Sequence, residues 1–252
     1  MLGGIDYVVH LAASPSVPRS VRSPVKSHRA NVDATLLLLD GARCAEVKRV
    51  VCASPSSVYG DSPSLPKHEG MPLNPRSPYA LQKLIGEQYM RLYFDLYGLE
   101  TVSLRFFNVF GPRQDPGSPC SGVISLFVDA LNNSRQPTMY GDGEQTREFT
   151  YVSDVVAGVV SASTASSVAG RVMNLAPGCR VSLNSLFLTL RGIIGVTVDP
   201  LRDVPREGDV RDSQADNSLA RELLGFDAKV SLDEGLRRTV EWYRASHTER
   251  VS

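Results

Sequence analysis

The sequence has no excess of charge of either sign. Its 252 residues include 27 lysines and arginines against 27 aspartates and glutamates, so the formal net charge at pH 7 is +0. Without a basic or acidic excess, neither nucleic acid nor an anionic membrane surface is expected as the main partner. A small anionic ligand is still allowed, because a few arginines can converge locally.

Cysteine and long apolar runs are also scarce. The cysteines are far apart and form no CxxC pair, which disfavours a disulfide framework or a zinc site and fits a reducing compartment. The four are Cys44, Cys52, Cys120 and Cys179. The runs YVVHLAA and TLLLLDGA are too short to span a bilayer, and no charged leader precedes a signal-like core. We therefore expect a cytoplasmic protein.

Histidine is rare as well, and its positions predict no metal site. None of the four has the spacing of a ligand pair. They are His10, His28, His68 and His247.

Short apolar, β-branched runs alternate with longer helical patterns, which predicts a parallel sheet with crossover helices. The strand candidates are IDYVVHLA, RVVCAS and ETVSLRFF, and helical spacing covers Val25 to Arg43 and Tyr79 to Tyr97. After Phe107 the pattern changes to loops rich in proline and glycine and to short helices. The last of these is an amphipathic helix around Leu232 to Arg244. We expect this later part to form a ligand-covering lobe.

A doubly wound sheet normally starts with a Gly-rich strand-turn-helix that seats a dinucleotide pyrophosphate at a helix N-terminus. The sequence contains no GxGxxG or GxxGxxG, and Gly3 and Gly4 lead directly into a strand. Either a dinucleotide is not bound in the usual way, or the N-terminal part is missing.

The segment YALQK places Tyr79 and Lys83 on one face of a helix, four residues apart. An ammonium at this distance favours the phenolate, so the tyrosine can act as a base near neutral pH. Alone, the pattern is weak, because such neighbours arise constantly on helix surfaces.

Its context is specific. CASPSSVYG precedes the pair, and LRFFNVFGPRQDP, GDGEQTREFTYVSDV and REGDVRDSQAD follow it. In this order the segments resemble the extended short-chain dehydrogenase/reductase superfamily, in its sugar-nucleotide epimerase/dehydratase branch, from Ile5 nearly to Arg244. The resemblance implies an α/β fold: an N-terminally truncated Rossmann-like doubly wound parallel sheet with a smaller C-terminal substrate lobe. We place the partial NAD-binding domain at residues 1–107 and the sugar-nucleotide lobe mainly at 108–252, with some segments returning to the first domain.

The resemblance also implies roles for individual residues. Tyr79 is the catalytic base, and Lys83 holds the nicotinamide ribose of NAD. Further cofactor contacts fall on His10, Leu11, Ala12, Ala13, Asn31 and Phe107. The nucleotide diphosphate and ribose of the substrate fall to Asn108, Arg147, Arg206 and Asp209. Without the resemblance, the segment from His10, Asn31 and Phe107 read equally well as a strand end, a helix cap and a core aromatic. Taken singly, the two arginines would more often be solvated surface, but two of them in Gly-flanked loops of one lobe favour an anion.

The reaction is predicted from what precedes Val-Tyr-Gly. Family dehydratases carry an Asp-Glu pair there and decarboxylases a Glu, whereas this chain has Ser56 and Ser57. Elimination is therefore disfavoured, and NAD-dependent 4-epimerisation through a 4-keto sugar is favoured. Ser213 matches the position facing the sugar C2 substituent, and its small volume leaves room for an N-acetyl group. UDP-N-acetylhexosamines are thus expected beside UDP-glucose and UDP-galactose, although local packing also explains a small residue.

Pro55 stands where the family has its catalytic Ser/Thr. Proline relays no proton, and in a regular strand the hydroxyls of Ser54 and Ser56 point to the opposite face. Ser56 is the best substitute, if the strand twists or bulges locally. Two hypotheses remain: a genuine 4-epimerase, or a truncated, catalytically impaired homologue that binds sugar nucleotides or dimerises. In either case a homodimer is expected, because the two long helices resemble the pair with which the family builds a dimeric four-helix bundle, and their apolar stripes need a partner.

Overall fold

The computed structural model describes residues 2–118, 121–205 and 210–248. The strands, in chain order, are β1 Tyr7–His10, β2 Arg49–Pro55, β3 Glu100–Phe106, β4 Val109–Phe110, β5 Thr138–Tyr140, β6 Thr146–Arg147, β7 Thr150–Tyr151, β8 Arg171–Leu175, β9 Val181–Ser182 and β10 Leu201–Asp203. The α-helices are α1 Val17–Arg22, α2 Pro24–His28, α3 Ala34–Cys44, α4 Pro78–Tyr97, α5 Val123–Asn132, α6 Val152–Thr164, α7 Leu183–Ile194, α8 Ser218–Leu224 and α9 Leu232–Thr248. A π-helical turn, Arg29–Asp33, joins α2 to α3, and a 3-10 helix, Ser56–Tyr59, follows β2.

A parallel sheet with the order β1-β2-β3-β8 organises the fold. Its strands alternate apolar residues between two faces, as the pleat requires. Val50 packs with Leu39 and Met90 under α3 and α4, whereas the adjacent Val51 packs with Met173 in the cluster under α6 and α8. Helices therefore cover both faces of the sheet.

Helix α4 has clear boundary signals. The Ser77 hydroxyl caps its first turn by accepting from the Ala80 N–H, and Pro78 supplies a φ suited to the first position. Gly98 ends the helix in the left-handed conformation, at φ +69°, which only glycine adopts without strain.

A separate apolar cluster holds the later part of the chain together. Phe127 of α5, Leu186 of α7 and Leu236 of α9 are fully buried in it. Two short parallel ladders, β4–β7 and β5–β10, and one antiparallel pair, β6–β9, form small sheets separate from the main one. Strand β8 returns to the main sheet beside β3, and the division at residue 107 stays a prediction.

The α/β fold predicted from the sequence is confirmed. The three strand candidates became β1, β2 and β3, and the two helical patterns became the α2–α3 segment and α4. Among the described residues, strand β1 has a sheet neighbour on one side only, and its Tyr7 and Val9 side chains are exposed. Across the three described ranges, no helix combines the length and apolar character needed to cross a membrane.

Candidate active site

The carboxyl ends of the parallel strands meet at one edge of the sheet, where ligands of α/β proteins usually bind. Strand β2 ends there at Pro55 and turns into the 3-10 helix. Strand β3 ends at Phe106 and leads to Asn108, which has a φ of +34°. Helix α4 packs against β2, β3 and the 3-10 helix.

A cavity of about 310 Å³ opens at this edge and brings together residues from both parts of the chain. Five predicted site residues line it: Ser56, Phe107, Asn108, Arg147 and Ser213. Ser57, Lys67 and Tyr59 also line it. Arg206 and Asp209, the other two predicted substrate contacts, lie outside the described residues.

Arg147 lies at the junction of two cavities. It lines the first cavity and a second one of about 270 Å³, whose walls include the apolar side chains of Val123, Phe127 and Leu183. Its Nη1 donates to the carbonyls of Thr146 at 2.9 Å and Arg211 at 3.0 Å. The guanidinium is thereby oriented, and its cationic fork suits an anionic group that bridges the two cavities.

Glu148 organises this region from behind and was missed by the sequence analysis. Its side chain is fully buried, and its two carboxylate oxygens accept from the N–H of Gly178 and, at 2.5 Å, from that of Ala215. Burial raises the pKa of Glu148 from its ordinary 4.5 to about 7, although backbone N–H donors lower it. The Asn108 side chain donates to the Glu148 carbonyl at 2.8 Å. Glu148 thus joins the segments that carry Asn108, Arg147 and Ser213.

Lys67 was also missed, because it stands in the loop PSLPKHEG, which has the composition of solvated surface. Its side chain is buried, and its ammonium donates to the Ser62 carbonyl. Burial lowers the pKa of Lys67 from its ordinary value. The sequence around this lysine, including Pro66 and Gly70, does not predict that it lines a cavity.

Tyr79 and Lys83 lie one turn apart near the start of α4, the helix that packs against β2 and β3. The Tyr79 side chain is half-buried, and its backbone N–H donates to Ser20 Oγ at 3.1 Å, which joins α1 to α4. Lys83 is buried, and its charge helps to lower the pKa of His10, although burial of the imidazole is the larger cause. The ammonium therefore lies near the end of β1.

The segment that follows β1 is largely exposed at this edge. The His10 imidazole is buried and contacts Thr35 Oγ1 at 3.0 Å, whereas Leu11 and Ala12 are exposed and Ala13 is half-buried.

Two of the predicted cofactor contacts have side chains engaged within the protein. Asn31 fixes the end of the open segment: its Oδ1 accepts from the Ser14 N–H at 2.7 Å, and its Nδ2 donates to the Ser14 carbonyl and to Gln82. The Phe107 side chain is fully buried in a cluster with Tyr59 and Ala176. Both residues therefore shape the site through packing and hydrogen bonds.

A buried ion pair fastens α4 to the sheet one turn beyond Lys83. Arg105 of β3 donates to Glu87 through two nitrogens, at 3.0 Å and 2.6 Å, and both side chains are almost fully buried. The Ser54 hydroxyl donates to the same carboxylate. Arg105 also lies 4.7 Å from the centre of the Tyr59 ring. The Ser54 hydroxyl is thus already hydrogen-bonded within this network.

Pro55 is tolerated because of where β2 ends. Strand β1 pairs with β2 only as far as Cys52, whereas β3 continues to pair Phe106 with Pro55. The proline thus occupies the last residue of the strand, where a single neighbour remains. The 3-10 helix starts at Ser56, so the strict alternation of side chains stops there. This is the local twist that the sequence analysis required for a neighbouring hydroxyl to replace the missing one.

Comparisons with known proteins agree with this architecture. Residues 2–176 match the model of the NAD dependent epimerase/dehydratase family. A UDP-glucose 4-epimerase of Mycolicibacterium smegmatis is 41% identical over 240 residues, which are 95% of this chain and 76% of that protein.

Two solved structures show the same fold. The UDP-N-acetylglucosamine 4-epimerase from Methanobrevibacter ruminantium, in complex with UDP-N-acetylmuramic acid, superposes with a TM-score of 0.94 at 38% identity, covering 97% of this chain and 78% of that one. The UDP-glucuronic acid 4-epimerase from Bacillus cereus, in complex with UDP-glucuronic acid and NAD, gives a TM-score of 0.90 at 31% identity, covering 97% and 77%.

The chain belongs to the NAD dependent epimerase/dehydratase family. The resemblance stated from the sequence is confirmed, and with it the predicted assignment to the NAD-dependent 4-epimerases. The similarity to the Mycolicibacterium smegmatis enzyme covers 95% of the chain, including both lobes, which favours the enzyme over the impaired homologue.

Proposed function

We propose that the chain catalyses the NAD-dependent 4-epimerisation of a UDP-hexose or UDP-N-acetylhexosamine. The observation that carries this proposal is that helix α4, which bears Tyr79 and Lys83, packs against β2, β3 and the 3-10 helix at the sheet edge where a polar cavity lined by Ser56, Asn108 and Arg147 opens. The family and its relatives supply the reaction class, and this geometry supports the roles proposed for the residues.

The residues at the cofactor side fit NAD. The exposed residues Leu11 and Ala12 offer a surface along which a dinucleotide can lie, and the Lys83 ammonium can hold ribose hydroxyls. When bound, NAD supplies the acceptor and donor of the C4 hydride. Tyr79 takes the proton of the sugar 4-hydroxyl and later returns it, and the Lys83 charge favours the phenolate form of Tyr79 that this requires.

The two cavities divide the substrate between them. The 310 Å³ cavity has hydroxyl, amide and ammonium groups and suits the sugar, whereas the apolar walls of the 270 Å³ cavity suit the nucleoside. Arg147 lines both and would bind the diphosphate that connects them. Asn108, held by Glu148, supports the same group.

Ser213 favours substrates with a bulky C2 substituent. Its small side chain lines the sugar cavity, and its N–H donates to the Thr146 carbonyl at 3.2 Å, which fixes its position. We therefore propose that UDP-N-acetylglucosamine and UDP-N-acetylgalactosamine are accepted beside UDP-glucose and UDP-galactose. Steric discrimination of this kind is modest, so both substrate pairs should turn over.

We also propose that the protein works as a homodimer in the cytoplasm. The surfaces of α3 and α4 expose large apolar side chains, among them Leu37, Leu92 and Leu96, which a second copy would cover. The described cysteines Cys44, Cys52 and Cys179 are free thiols, as is usual in a reducing compartment.

The test of the reaction is interconversion of UDP-glucose and UDP-galactose, and of their N-acetyl forms. It uses a chimera in which the nucleotide-binding portion of the Mycolicibacterium smegmatis relative precedes this chain. Tyr79→Phe should lower turnover by about 10²-fold or more, because the base is lost while packing is nearly unchanged. The matched control is Tyr97→Phe, at the exposed end of the same helix. Equal turnover in the two variants would contradict the role of Tyr79.

A further inference from the structure

The end of β2 offers the sugar cavity fewer hydroxyls than its sequence suggests. Pro55 has none, and the Ser54 hydroxyl donates to Glu87, a carboxylate already fixed by Arg105. The first hydroxyls available to the cavity are therefore those of the 3-10 helix, Ser56 and Ser57.

These two serines differ in whether the hydroxyl is a buried group without a hydrogen-bond partner. Within the described part of the chain, the Ser57 Oγ is one of four buried side-chain polar atoms that have no hydrogen-bond partner. The Ser56 hydroxyl is not among them, although both residues line the same cavity. A buried hydroxyl without a partner lowers stability, and native proteins keep such groups mainly where a ligand or a water completes them.

We propose that Ser57 supplies the hydroxyl that binds the substrate sugar in place of the one that Pro55 lacks. This inference rests on the proposed function and assigns a residue within the same site. Ser57 lines the same cavity of about 310 Å³ as Asn108 and Arg147, so it shares the walls of the space in which a sugar attached to a diphosphate at Arg147 would lie. Rotation about χ1 moves the hydroxyl between staggered positions and can turn it toward the cavity.

The chemistry of a serine hydroxyl suits an epimerase. It donates one hydrogen bond and accepts others, so it can pair with the sugar 4-hydroxyl in either configuration at C4. A carboxylate or an ammonium in this place would offer only one of the two roles. Ser57 can therefore bind both the substrate and the product of the reaction.

The test compares the binding of UDP with that of UDP-glucose, by calorimetry, in the 252-residue chain and in Ser57→Ala and Ser56→Ala. We expect the UDP affinity to be the same in all three. The ratio of UDP-glucose affinity to UDP affinity should fall about three- to tenfold in Ser57→Ala, the usual effect of one lost hydrogen bond, and stay unchanged in Ser56→Ala. Ser57→Thr, which keeps the hydroxyl, should retain the ratio.

Thermal unfolding separates binding from structure. Because the Ser57 hydroxyl has no partner in the described residues, Ser57→Ala should melt at the same temperature as the unchanged chain or higher. An unchanged affinity ratio in Ser57→Ala, or a fall in Ser56→Ala alone, would overturn the proposal. If the unchanged chain binds neither UDP nor UDP-glucose, the proposed function itself fails, and the Ser57 proposal fails with it.

Discussion

The substrate side and the cofactor side of the site are built differently. On the substrate side, Arg147 and Ser213 line cavities and are backed by the fully buried Glu148. On the cofactor side, β1 has one strand neighbour, and Val9 and Leu11 are exposed apolar residues. A site formed by interlocking hydrogen bonds is pre-organised for its ligand, whereas an open edge is not. The 252 residues should therefore bind a UDP-sugar more readily than NAD.

Both sides depend on the position of α4, so breaking its ion pair should have the largest effect. Glu87→Gln leaves the buried Arg105 charge without a carboxylate and should cost about 3–5 kcal/mol of unfolding free energy. The matched control on the same helix is Asp95→Asn, whose exposed pair with Arg91 should contribute about 0.5 kcal/mol or less. Urea denaturation measures both changes, and similar costs would show that the Glu87–Arg105 pair does not anchor α4.

If Glu87→Gln does not fold, Glu87→Gln combined with Arg105→Met provides the second measurement. Removing both charges takes away the unpaired buried ion, so the double variant should recover much of the lost stability. A double variant that is less stable than Glu87→Gln would contradict this explanation.

The substrate side should carry a pH dependence through Glu148 that is opposite in sign to the one that the lowered pKa of His10 gives the cofactor side. Burial raises the pKa of Glu148 from 4.5 to about 7, so the folded protein binds this proton more tightly than the unfolded chain does. The corresponding stabilisation is fully present below pH 4.5 and is lost as the pH rises through 7, with a total of about 3 kcal/mol.

Glu148→Gln tests that dependence, because an amide does not titrate. The unfolding free energy of the unchanged chain, measured relative to Glu148→Gln, should fall between pH 5 and pH 7 and level off above about pH 8. The control, Glu222→Gln on the exposed surface of α8, should show no such trend. A difference that rises with pH would mean that the backbone donors to Glu148 outweigh its burial.

The smallest changes in stability are expected from variants that alter self-association, and these variants also distinguish the helix surfaces from the exposed edge strand. Leu37→Asp combined with Leu96→Asp places charges on the exposed surfaces of α3 and α4 and should convert dimers to monomers. Val9→Lys, on the exposed edge strand, should leave dimers intact and reduce only larger species, because a charge on an edge strand opposes further pairing. Light scattering across concentrations distinguishes these results. A clean monomer of the unchanged chain at high concentration would contradict both.

Sequence reasoning predicted the fold correctly because its strands and helices have local signals, and it named candidate site residues that stay a prediction. The three strands and the 20-residue α4 follow from periodicity and caps, and Tyr79 and Lys83 from their spacing. Glu148 and Lys67 have no such signal. Their burial depends on segments more than 60 residues away, such as those that contain Gln214 and Ala215. A sequence pattern alone could not show that these charged residues are enclosed.

The end of β2 shows the same limit on a smaller scale. The sequence revealed that Pro55 has no hydroxyl, and favoured Ser56 as the replacement. The contrast between Ser54, bonded to Glu87, and Ser57, without a partner among the described residues, depends on the tertiary position of α4 and on the start of the 3-10 helix. Whether a serine hydroxyl already has a hydrogen-bond partner within the protein is determined by the packed structure.

The most direct test of the contrast between the two sides is a pair of calorimetric titrations on one preparation of the 252-residue chain. UDP-glucose should bind, because its cavities and Arg147 are in place. NAD should show no binding at micromolar concentrations, because these residues contain no Gly-rich turn for its pyrophosphate. Micromolar binding of NAD, or the absence of UDP-glucose binding, would contradict the account.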